Sequence, residues 1–284
     1  MVDSQAIMKS IFPSSIDGDL LKLVHLSNGF RMVDGAAPLR AGDVCRSEVK
    51  IVSVTNSNEG KTVKVKGHVF RDDKPVIEVV SAFLYRGRFS DYDNTFETTE
   101  EVDYVVELET DADVGVLQSK EWFDWTDESK PLAPGASLIF RVQTAVTFKD
   151  KNSFRDISVS GDVLVRNELK EYIKVGYIDF QQDDCRGNPV LAYLQRHGTP
   201  EGLATPLPND GYSLSGAGAS FNAPLTNEPY SKISGDFNPI HVNPYFSCYA
   251  SLPGTITHGM WSSAATRRYV ESVVAKGHPE RVVA

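Results

Sequence analysis

Apolar side chains alternate with polar ones over two long stretches of the chain, residues 41–87 and 135–181. A period of two residues is typical of strands that bury one face. Each stretch therefore predicts three antiparallel strands joined by short polar turns. The predicted strands are Arg46–Val54, Thr62–Phe70 and Val76–Tyr85 in the first stretch, and Leu138–Phe148, Arg155–Val165 and Glu171–Phe180 in the second.

The two stretches are similar in register. The spacing between Gly42 and Gly135 equals that between Glu78 and Glu171, and residues 63–70 match residues 157–164 one position further along. Three strands and two turns at nearly one offset favour an internal duplication. The sequence therefore predicts two related units, at residues 1–95 and 96–181.

Each unit is expected to begin with a helix, Asp19–Leu26 in the first and Val114–Trp125 in the second. A helix followed by an antiparallel sheet is the arrangement of α+β domains. We expect Trp122 and Trp125 to pack in the core of the second unit. The predicted fold class is therefore α+β.

Residues 182–229 are rich in Gly, Pro, Ser and Asn and predict a linker. Within this linker, Asn188-Pro189 and Gly198 bracket a short helix, Val190–His197, with a capping residue, an N1 proline and a terminal glycine. Ser215–Ser220 predicts a flexible segment. It is not expected to be a phosphate-binding loop, because no apolar strand precedes it and no helix follows it.

Composition excludes several classes of protein. The net charge is −9, which disfavours nucleic acid as a partner, and no apolar run is long enough to span a membrane. Three widely separated cysteines provide neither a disulfide framework nor a CxxC metal site. We therefore expect a soluble protein of a reducing compartment, the cytoplasm.

A group of chemically useful residues follows the linker, at residues 230–284. Asp236 and His241 stand five residues apart in a loop bent by Asn238 and Pro239, and Gly259 opens a predicted helix. Thr257 is expected to cap this helix, whose apolar stripe ends near Lys276-Gly277. This third segment has a loop and a helix but no sheet.

These residue types can add or remove water next to a carbonyl. The reaction requires a base for the α-proton, an acid for the departing hydroxyl and a donor to the carbonyl oxygen. We assign His241 as the base, Asp236 as the acid and the Gly259 N–H, at a helix N-terminus, as the oxyanion donor. Asn238 positions the loop. A plain structural turn with an Asp–His hydrogen bond remains the alternative.

Other polar residues near the motif are expected to have no chemical role. His258 is expected to face solvent at the start of the helix, and Arg267-Arg268 to form a solvated face. Cys248 has no basic neighbour in the sequence that would activate its thiol.

The segments Gly-Asp-Phe-Asn-Pro-Ile-His at 235–241 and Leu-Pro-Gly-Thr-Ile-Thr-His-Gly-Met at 252–260 resemble the MaoC-like R-specific hydratase/dehydratase family. The chain further resembles the dehydratase region of the β subunit of fungal type I fatty acid synthases, over essentially its whole length. This resemblance raises the expectation that Asp236 and His241 are catalytic.

The resemblance implies tandem hot-dog folds, in which a curved antiparallel sheet wraps a long helix. The first two units lack the motif, so they would be non-catalytic, and the third would be truncated at its C-terminus. The implied substrate is a (3R)-3-hydroxyacyl group on an acyl carrier protein, dehydrated to the trans-2-enoyl form. Neither a metal nor a redox cofactor is implied, and the implied partners are the carrier protein and other synthase domains.

Two other classes of function stay open. A free-standing R-specific enoyl-CoA hydratase would use the same residues but would need a basic pocket for the phosphates of CoA. A non-catalytic hot-dog scaffold or acyl-binding module would have no need for Asp236, His241 and Gly259 together.

Overall fold

A computed structural model describes residue 16 and residues 18–201 and 220–277. The chain divides into two compact units, one formed by residues 1–94 with 213–284 and the other by residues 95–212. The sequence predicted residues 1–95 and 230–284 as separate segments, whereas the structure groups them in one unit. No helix in the described part of the chain is long and apolar enough to cross a bilayer.

The first unit contains a four-stranded antiparallel sheet with the order β1-β4-β3-β2. A 3₁₀ turn, Leu20–Lys22, leads into the first strand. The strands are β1 (Leu23–Met32), β2 (Cys45–Asn56), β3 (Gly60–Arg71) and β4 (Lys74–Arg86).

Strands β2, β3 and β4 confirm the alternating pattern. Val63, Val65 and Val69 on β3 are buried, as a period of two residues requires for one covered face. Asp72 and Asp73 join β3 to β4 with φ values of 51° and 58°, the left-handed pair of a two-residue hairpin turn.

The helix predicted at Asp19–Leu26 is wrong. Residues 23–32 instead form β1, which pairs with β4 from Leu23–Tyr85 to Met32–Ile77. A short apolar run does not distinguish helix from strand by its period alone. Residues 23–32 form a strand because the edge of β4 would otherwise have unpaired backbone N–H and C=O groups, and β1 provides their hydrogen-bond partners.

The second unit is built on a longer antiparallel sheet with the order β5-β8-β9-β10-β7, in which β6 also pairs with β8 and β11 pairs with β6. Its elements are β5 (Phe96–Glu100), β6 (Asp103–Leu108), α1 (Asp111–Gln118), β7 (Phe123–Trp125), β8 (Ala136–Asp150), β9 (Ser153–Arg166), β10 (Tyr172–Cys185), α2 (Pro189–His197) and β11 (Gly198–Glu201).

The second predicted helix is shorter than expected and begins earlier. Thr110 caps α1 in a capping box with Asp113, and the helix ends at Gln118. Residues 123–125, predicted as the end of this helix, form β7 and pair with β10. Trp122 is buried and Trp125 packs against the same core, as expected.

The linker predicted at residues 182–229 is wrong over its first part. Strand β10 continues to Cys185, and the confirmed helix α2 buries Val190, Tyr193 and Leu194 in the core of the second unit. The apolar side of α2 therefore makes it part of this domain. Residues 215–219 of the predicted flexible segment lie outside the described residues.

Among the residues that the structure describes, the first unit is completed by four helices and a π-helical stretch, Val270–Val274. The helices are α3 (Glu228–Ser234), α4 (Pro239–Val242), α5 (Pro244–Tyr249) and α6 (Gly259–Tyr269). Helix α6 packs against β1, where the side-chain amide of Asn28 contacts the sulfur of Met260. The sheet of residues 23–86 thereby provides one wall for the segment that carries the motif.

Candidate active site

The loop that carries Asp236 is fixed by short-range hydrogen bonds. Helix α3 ends at Gly235, whose φ of 75° is the left-handed conformation that glycine adopts easily. Asp236 then accepts the backbone N–H of Asn238 at 3.1 Å through Oδ1. Asn238 in turn caps α4 by accepting the N–H of Ile240. The expected positioning role of Asn238 therefore has a structural basis, because its side chain starts the helix that carries His241.

A buried asparagine ties this helix to the segment that precedes α6. The Asn227 Nδ2 donates to the carbonyl of His241 at 2.9 Å and to the carbonyl of Ile256 at 3.0 Å. Asn227 was not predicted as a site residue, because a single asparagine before a helix is common in proteins and does not indicate a specific role. Its two bonds fix the distance between the two halves of the motif.

The orientation of His241 defines a free ring nitrogen. Its Nδ1 lies 2.8 Å from the carbonyl oxygen of Ile256. Because a carbonyl only accepts, Nδ1 carries the proton of the neutral ring and Nε2 keeps its lone pair. Burial is the main cause that lowers the pKa of His241. The neighbouring His258 and His25 lower this pKa further, whereas the Ile256 carbonyl and Asp236 raise it. Burial therefore favours the neutral form of the His241 ring.

The expectation that His258 faces solvent is wrong. Its side chain is 1% exposed and stacks on His241, with ring centroids 3.9 Å apart and an angle of 25° between the planes. Its Nε2 lies 3.1 Å from the carbonyl oxygen of Asp236 and 3.3 Å from Oγ of Ser231. The ring is buried because α3 and α4 pack over the N-terminus of α6, which no local pattern reveals.

Helix α6 begins at Gly259, one residue later than a Thr257 cap requires. His258 occupies the capping position and makes no side-chain capping bond, so the prediction of Thr257 as the cap is wrong. The first N–H groups of a helix have no partner within it and are available to an anion. The N-terminus of α6 lies at the cavity, because Gly259 and Met260 both line it.

His25 is a site residue that the sequence analysis missed. It lies on β1, stacks on Phe83 with centroids 4.7 Å apart, and lines the same cavity as Asp236 and His241. Burial lowers its pKa, and the nearby Asp236 opposes this effect. His25 was not recognised because its segment was predicted to be a helix. The alternation of a strand would have placed its side chain on one face of the sheet.

A cavity of about 160 Å³ joins these groups. Asp236, Asn238, His241 and Gly259 all line it, so the structure brings the four predicted site residues together. Its other wall is the face of β1 and β4, mainly apolar, with Val24, Phe30, Val79 and Phe83. The cavity therefore suits an apolar chain with a polar head, which is the usual character of a small-molecule pocket.

Asp236, His241 and His258 also form a group whose ligand-capable atoms all lie within 4.8 Å of one another. The two imidazoles are stacked, so the lone pairs in their ring planes run side by side and do not converge on one point. His241 Nδ1 and His258 Nε2 are moreover engaged with carbonyl oxygens. This geometry is poor for a shared metal ion, and we assign none.

The remaining candidates lie away from the cavity lining. Arg267 is exposed and lies 3.8 Å from Glu271, as expected for a solvated face. Cys248 is an exposed free thiol. Neither residue lines the cavity.

Three protein-family models match successive parts of the chain. Residues 1–87 match "MFE-2 hydratase 2 N-terminal domain", residues 96–194 match "Fatty acid synthase subunit beta, insertion domain", and residues 206–284 match "MaoC like domain". The last match contains the whole predicted site. The chain is therefore similar to the insertion domain of a fatty acid synthase β subunit at residues 96–194 and to a MaoC-like domain at residues 206–284.

Curated relatives extend this match over nearly the whole chain. It is 49% identical to the fatty acid synthase subunit beta of Schizosaccharomyces pombe and 44% identical to that of Saccharomyces cerevisiae, in both cases over 99% of this chain. The chain spans 14% of the length of each relative. By sequence the chain is a relative of the fungal fatty acid synthase β subunits.

Two solved structures are similar at low identity. HtdX (Rv0241c) from Mycobacterium tuberculosis has 15% identity and a TM-score of 0.37, covering 89% of this chain and 56% of that one. A MaoC-like dehydratase from Phytophthora capsici has 11% identity and a TM-score of 0.23, covering 58% and 74%.

Proposed function

We propose that this chain carries the dehydratase site of a fatty acid synthase β subunit. The reaction is loss of water from a (3R)-3-hydroxyacyl group on an acyl carrier protein, which gives the trans-2-enoyl group. The single observation that carries the proposal is that His241, Asp236 and the N-terminus of α6 meet at one cavity with a largely apolar wall. The names of the relatives and the MaoC-like match support it.

In the proposed mechanism, His241 Nε2 takes the α-proton of the thioester. The electron pair of the broken C–H bond forms the double bond, and the C–O bond to the hydroxyl breaks. Asp236 in its protonated form gives its proton to the departing hydroxyl, which leaves as water. Return of the proton from His241 to Asp236 resets the site. Hydration of the enoyl group follows the same steps in reverse.

Negative charge develops on the thioester oxygen during proton removal. The backbone N–H of Gly259, at the positive end of the α6 dipole, is the proposed donor to this oxygen. Asn238 caps α4 and thereby fixes the position of His241 relative to Asp236. The reaction is redox-neutral, and these groups supply each proton transfer, so the proposal requires neither a metal nor a redox cofactor.

We further propose that the sheet of residues 23–86 and the sheet of the second unit belong to two hot-dog folds in tandem, and that the segment from residue 230 begins a further, catalytic one. The first unit contributes the apolar cavity wall from β1 and β4, where an acyl chain would lie. The second unit contributes structure without chemistry. The proposed partners are the carrier protein, whose phosphopantetheine holds the substrate, and the other domains of the synthase.

A second candidate function is R-specific hydration of enoyl-CoA by a free-standing enzyme. The observation that favours it is the match of residues 1–87 to the "MFE-2 hydratase 2 N-terminal domain". It uses the same site and differs in the carrier of the acyl group. The high identity to synthase β subunits over nearly the whole chain favours the first candidate.

The test is hydration of a trans-2-enoyl thioester, followed by loss of enoyl absorbance, in the complete natural polypeptide. CoA and carrier-protein thioesters are compared, with the His241→Ala variant in parallel. Activity that is lost in the variant and strongest with the carrier-protein thioester supports the synthase role. Preference for CoA selects the hydratase. A folded wild-type protein inactive on both indicates an acyl-binding or scaffold module.

A further inference from the structure

The imidazole of His258 is a part of the site for which the proposed reaction gives no task. The ring is almost completely buried, and its Nδ1 atom has no hydrogen-bond partner among the described residues. Leaving a buried polar atom unsatisfied has a cost in stability that a leucine or phenylalanine would avoid. A polar ring kept at such a position therefore requires an explanation.

The contacts of His258 fix its tautomer. The carbonyl oxygen of Asp236, 3.1 Å from Nε2, can only accept, so Nε2 carries the proton and donates it. The hydroxyl of Ser231 lies 3.3 Å from the same nitrogen. The ring is therefore suited to act as a fixed donor to the Asp236 loop.

The face of His258 restrains the ring of His241. The bond from His241 Nδ1 to Ile256 anchors one edge of that ring but leaves it free to swing about this contact. The stacked ring of His258, 3.9 Å away, covers one face and limits this motion. Tyr230, whose ring centroid lies 4.9 Å from that of His258, supports the stack from α3. The direction of the His241 Nε2 lone pair is thereby fixed.

The backbone of His258 also leads directly into Gly259, the first residue of α6. One residue therefore joins three parts of the site: the loop of Asp236, the ring plane of His241 and the start of the helix that provides the oxyanion donor. We propose that His258 is a positioning residue of the dehydration reaction, which holds acid, base and oxyanion donor in mutual register. This inference rests on the proposed function for its meaning in catalysis.

The stack also affects the charge of the base. The titratable groups that face His241 are Asp236 from the loop, His258 from the start of α6 and His25 from β1. Burial is the main cause of the lowered pKa of His241, and the like charge of a protonated His258 would lower it further. Two imidazoles in contact cannot both be protonated at low cost. Replacing His258 by a neutral amide should therefore raise the pKa of His241.

Two variants separate the roles of His258. His258→Gln keeps an N–H donor for the Asp236 carbonyl without the ring, and His258→Phe keeps a stacked ring without the donor. The matched control is His68→Gln, because His68 lies on the sheet of the same unit, near Glu78 and away from the cavity lining. Thermal unfolding of each variant in the complete natural polypeptide shows which of them keep the fold.

The kinetic readout is kcat, KM and the pH profile of enoyl-thioester hydration. Misplacement of reacting groups without loss of binding surface should lower kcat by about 10- to 100-fold and change KM little. The acidic limb of kcat/KM should move to higher pH in His258→Gln, because protonated His241 cannot act as the base. His68→Gln should match the wild type in all three measures.

A second readout needs no turnover. Diethyl pyrocarbonate acylates only unprotonated imidazole nitrogen, and the free Nε2 of His241 offers one. The rate of His241 modification, followed by peptide mass spectrometry across pH, reports its protonation in each variant. The midpoint should move to higher pH in His258→Gln and stay unchanged in His68→Gln.

The outcomes are distinct. Folded His258 variants with kcat within about twofold of wild type and an unchanged His241 midpoint would overturn the inference and leave His258 as a core residue. If the wild type hydrates no thioester, the proposed function fails, while the modification midpoint still decides whether His258 controls His241. If His258→Gln does not fold, the kinetics and the ring reactivity of His258→Phe decide.

Discussion

A Cβ atom added to Gly259 would lie 2.8 Å from Nδ1 of His25, and 3.3 Å and 3.4 Å from two carbon atoms of the same side chain. The two residues are far apart in sequence, and their contact joins strand β1 to the N-terminus of helix α6. From the sequence, the backbone N–H of Gly259 was predicted to be the oxyanion donor. The structure adds that the space beside Gly259 is limited by the imidazole of His25.

This contact predicts that Gly259→Ala is harmful and that His25 is the reason. The added methyl group must displace a ring stacked on Phe83, which for overpacking costs about 1–3 kcal/mol of unfolding free energy. Activity should fall because the N-terminus of α6 shifts. The double variant His25→Ala/Gly259→Ala should regain stability relative to Gly259→Ala, measured by thermal unfolding. Additive effects of the two changes would contradict the proposed clash.

The roles of Asp236 and His241 predict loss of rate without loss of fold. Removing a general acid or base typically lowers turnover by about 10²–10⁴-fold. We expect His241→Ala and Asp236→Asn each to fall in this range in enoyl-thioester hydration, with thermal unfolding near that of wild type. His68→Gln is the control. Wild-type rates in His241→Ala would reject the assignment, and a residual rate in Asp236→Asn independent of pH would show that Asp236 is not the acid.

The lowered pKa of His241 predicts an acidic limb in the activity profile. The base must be unprotonated, so kcat/KM should fall as pH decreases through a pKa that lies below the usual 6.5. Initial rates at subsaturating substrate between about pH 4 and 8 measure the limb. A limb above pH 6.5 would contradict the burial of this ring.

The same shifts have a consequence for stability. The pKa values of His25 and His241 are both lowered in the folded protein, so the unfolded chain binds more protons between the folded value and 6.5. The contribution of these rings to stability is therefore fully present above pH 6.5 and is lost as pH falls through that window. Denaturant unfolding at a series of pH values should show the loss, and His25→Asn/His241→Asn should flatten it. An identical slope in the variant would contradict the prediction.

Asn227 provides a test of the tie between the two halves of the motif. Asn227→Ala leaves the part-buried carbonyl of His241 without its donor and removes one of the two donors to the carbonyl of Ile256, which still accepts from His241 Nδ1. A buried group left unsatisfied costs about 1–3 kcal/mol. Turnover should fall together with stability, because the tie fixes the His241 helix. Asn222→Ala, at an exposed position in the same segment, is the matched control. Equal unfolding midpoints for the two variants would show that the tie is dispensable.

The reassignment of α2 from linker to core is testable at Leu194. This side chain is fully buried, so Leu194→Ala should destabilise the second unit by about 2–5 kcal/mol. Val116→Ala, on the exposed side of α1, should change stability by less than about 0.5 kcal/mol. Hydrogen exchange of peptides from β8 and β9 in the complete polypeptide measures both. Unchanged exchange in Leu194→Ala would restore the interpretation of α2 as a linker.

The sequence by itself determined the parts whose physics is local. The period of two residues in β2, β3, β4, β8, β9 and β10, the caps of α2 and the Asp236–Asn238–His241 loop depend on neighbours within a few positions. Short-range sterics and hydrogen bonds are enough to specify such features. For this reason Asp236, Asn238 and His241 lie together at the cavity.

Only the tertiary structure decided which distant segments meet. Strand β1 was assigned to a helix because the edge of β4 that it pairs with is not visible in its own residues, and His25 was missed with it. His258 was placed in solvent because its burial depends on Ser231, Tyr230 and Asp236 packing over the start of α6. The hydrophobic effect is non-directional and depends on the contacts of the whole fold. A local sequence pattern therefore shows that a face is apolar but does not show which distant segment covers it.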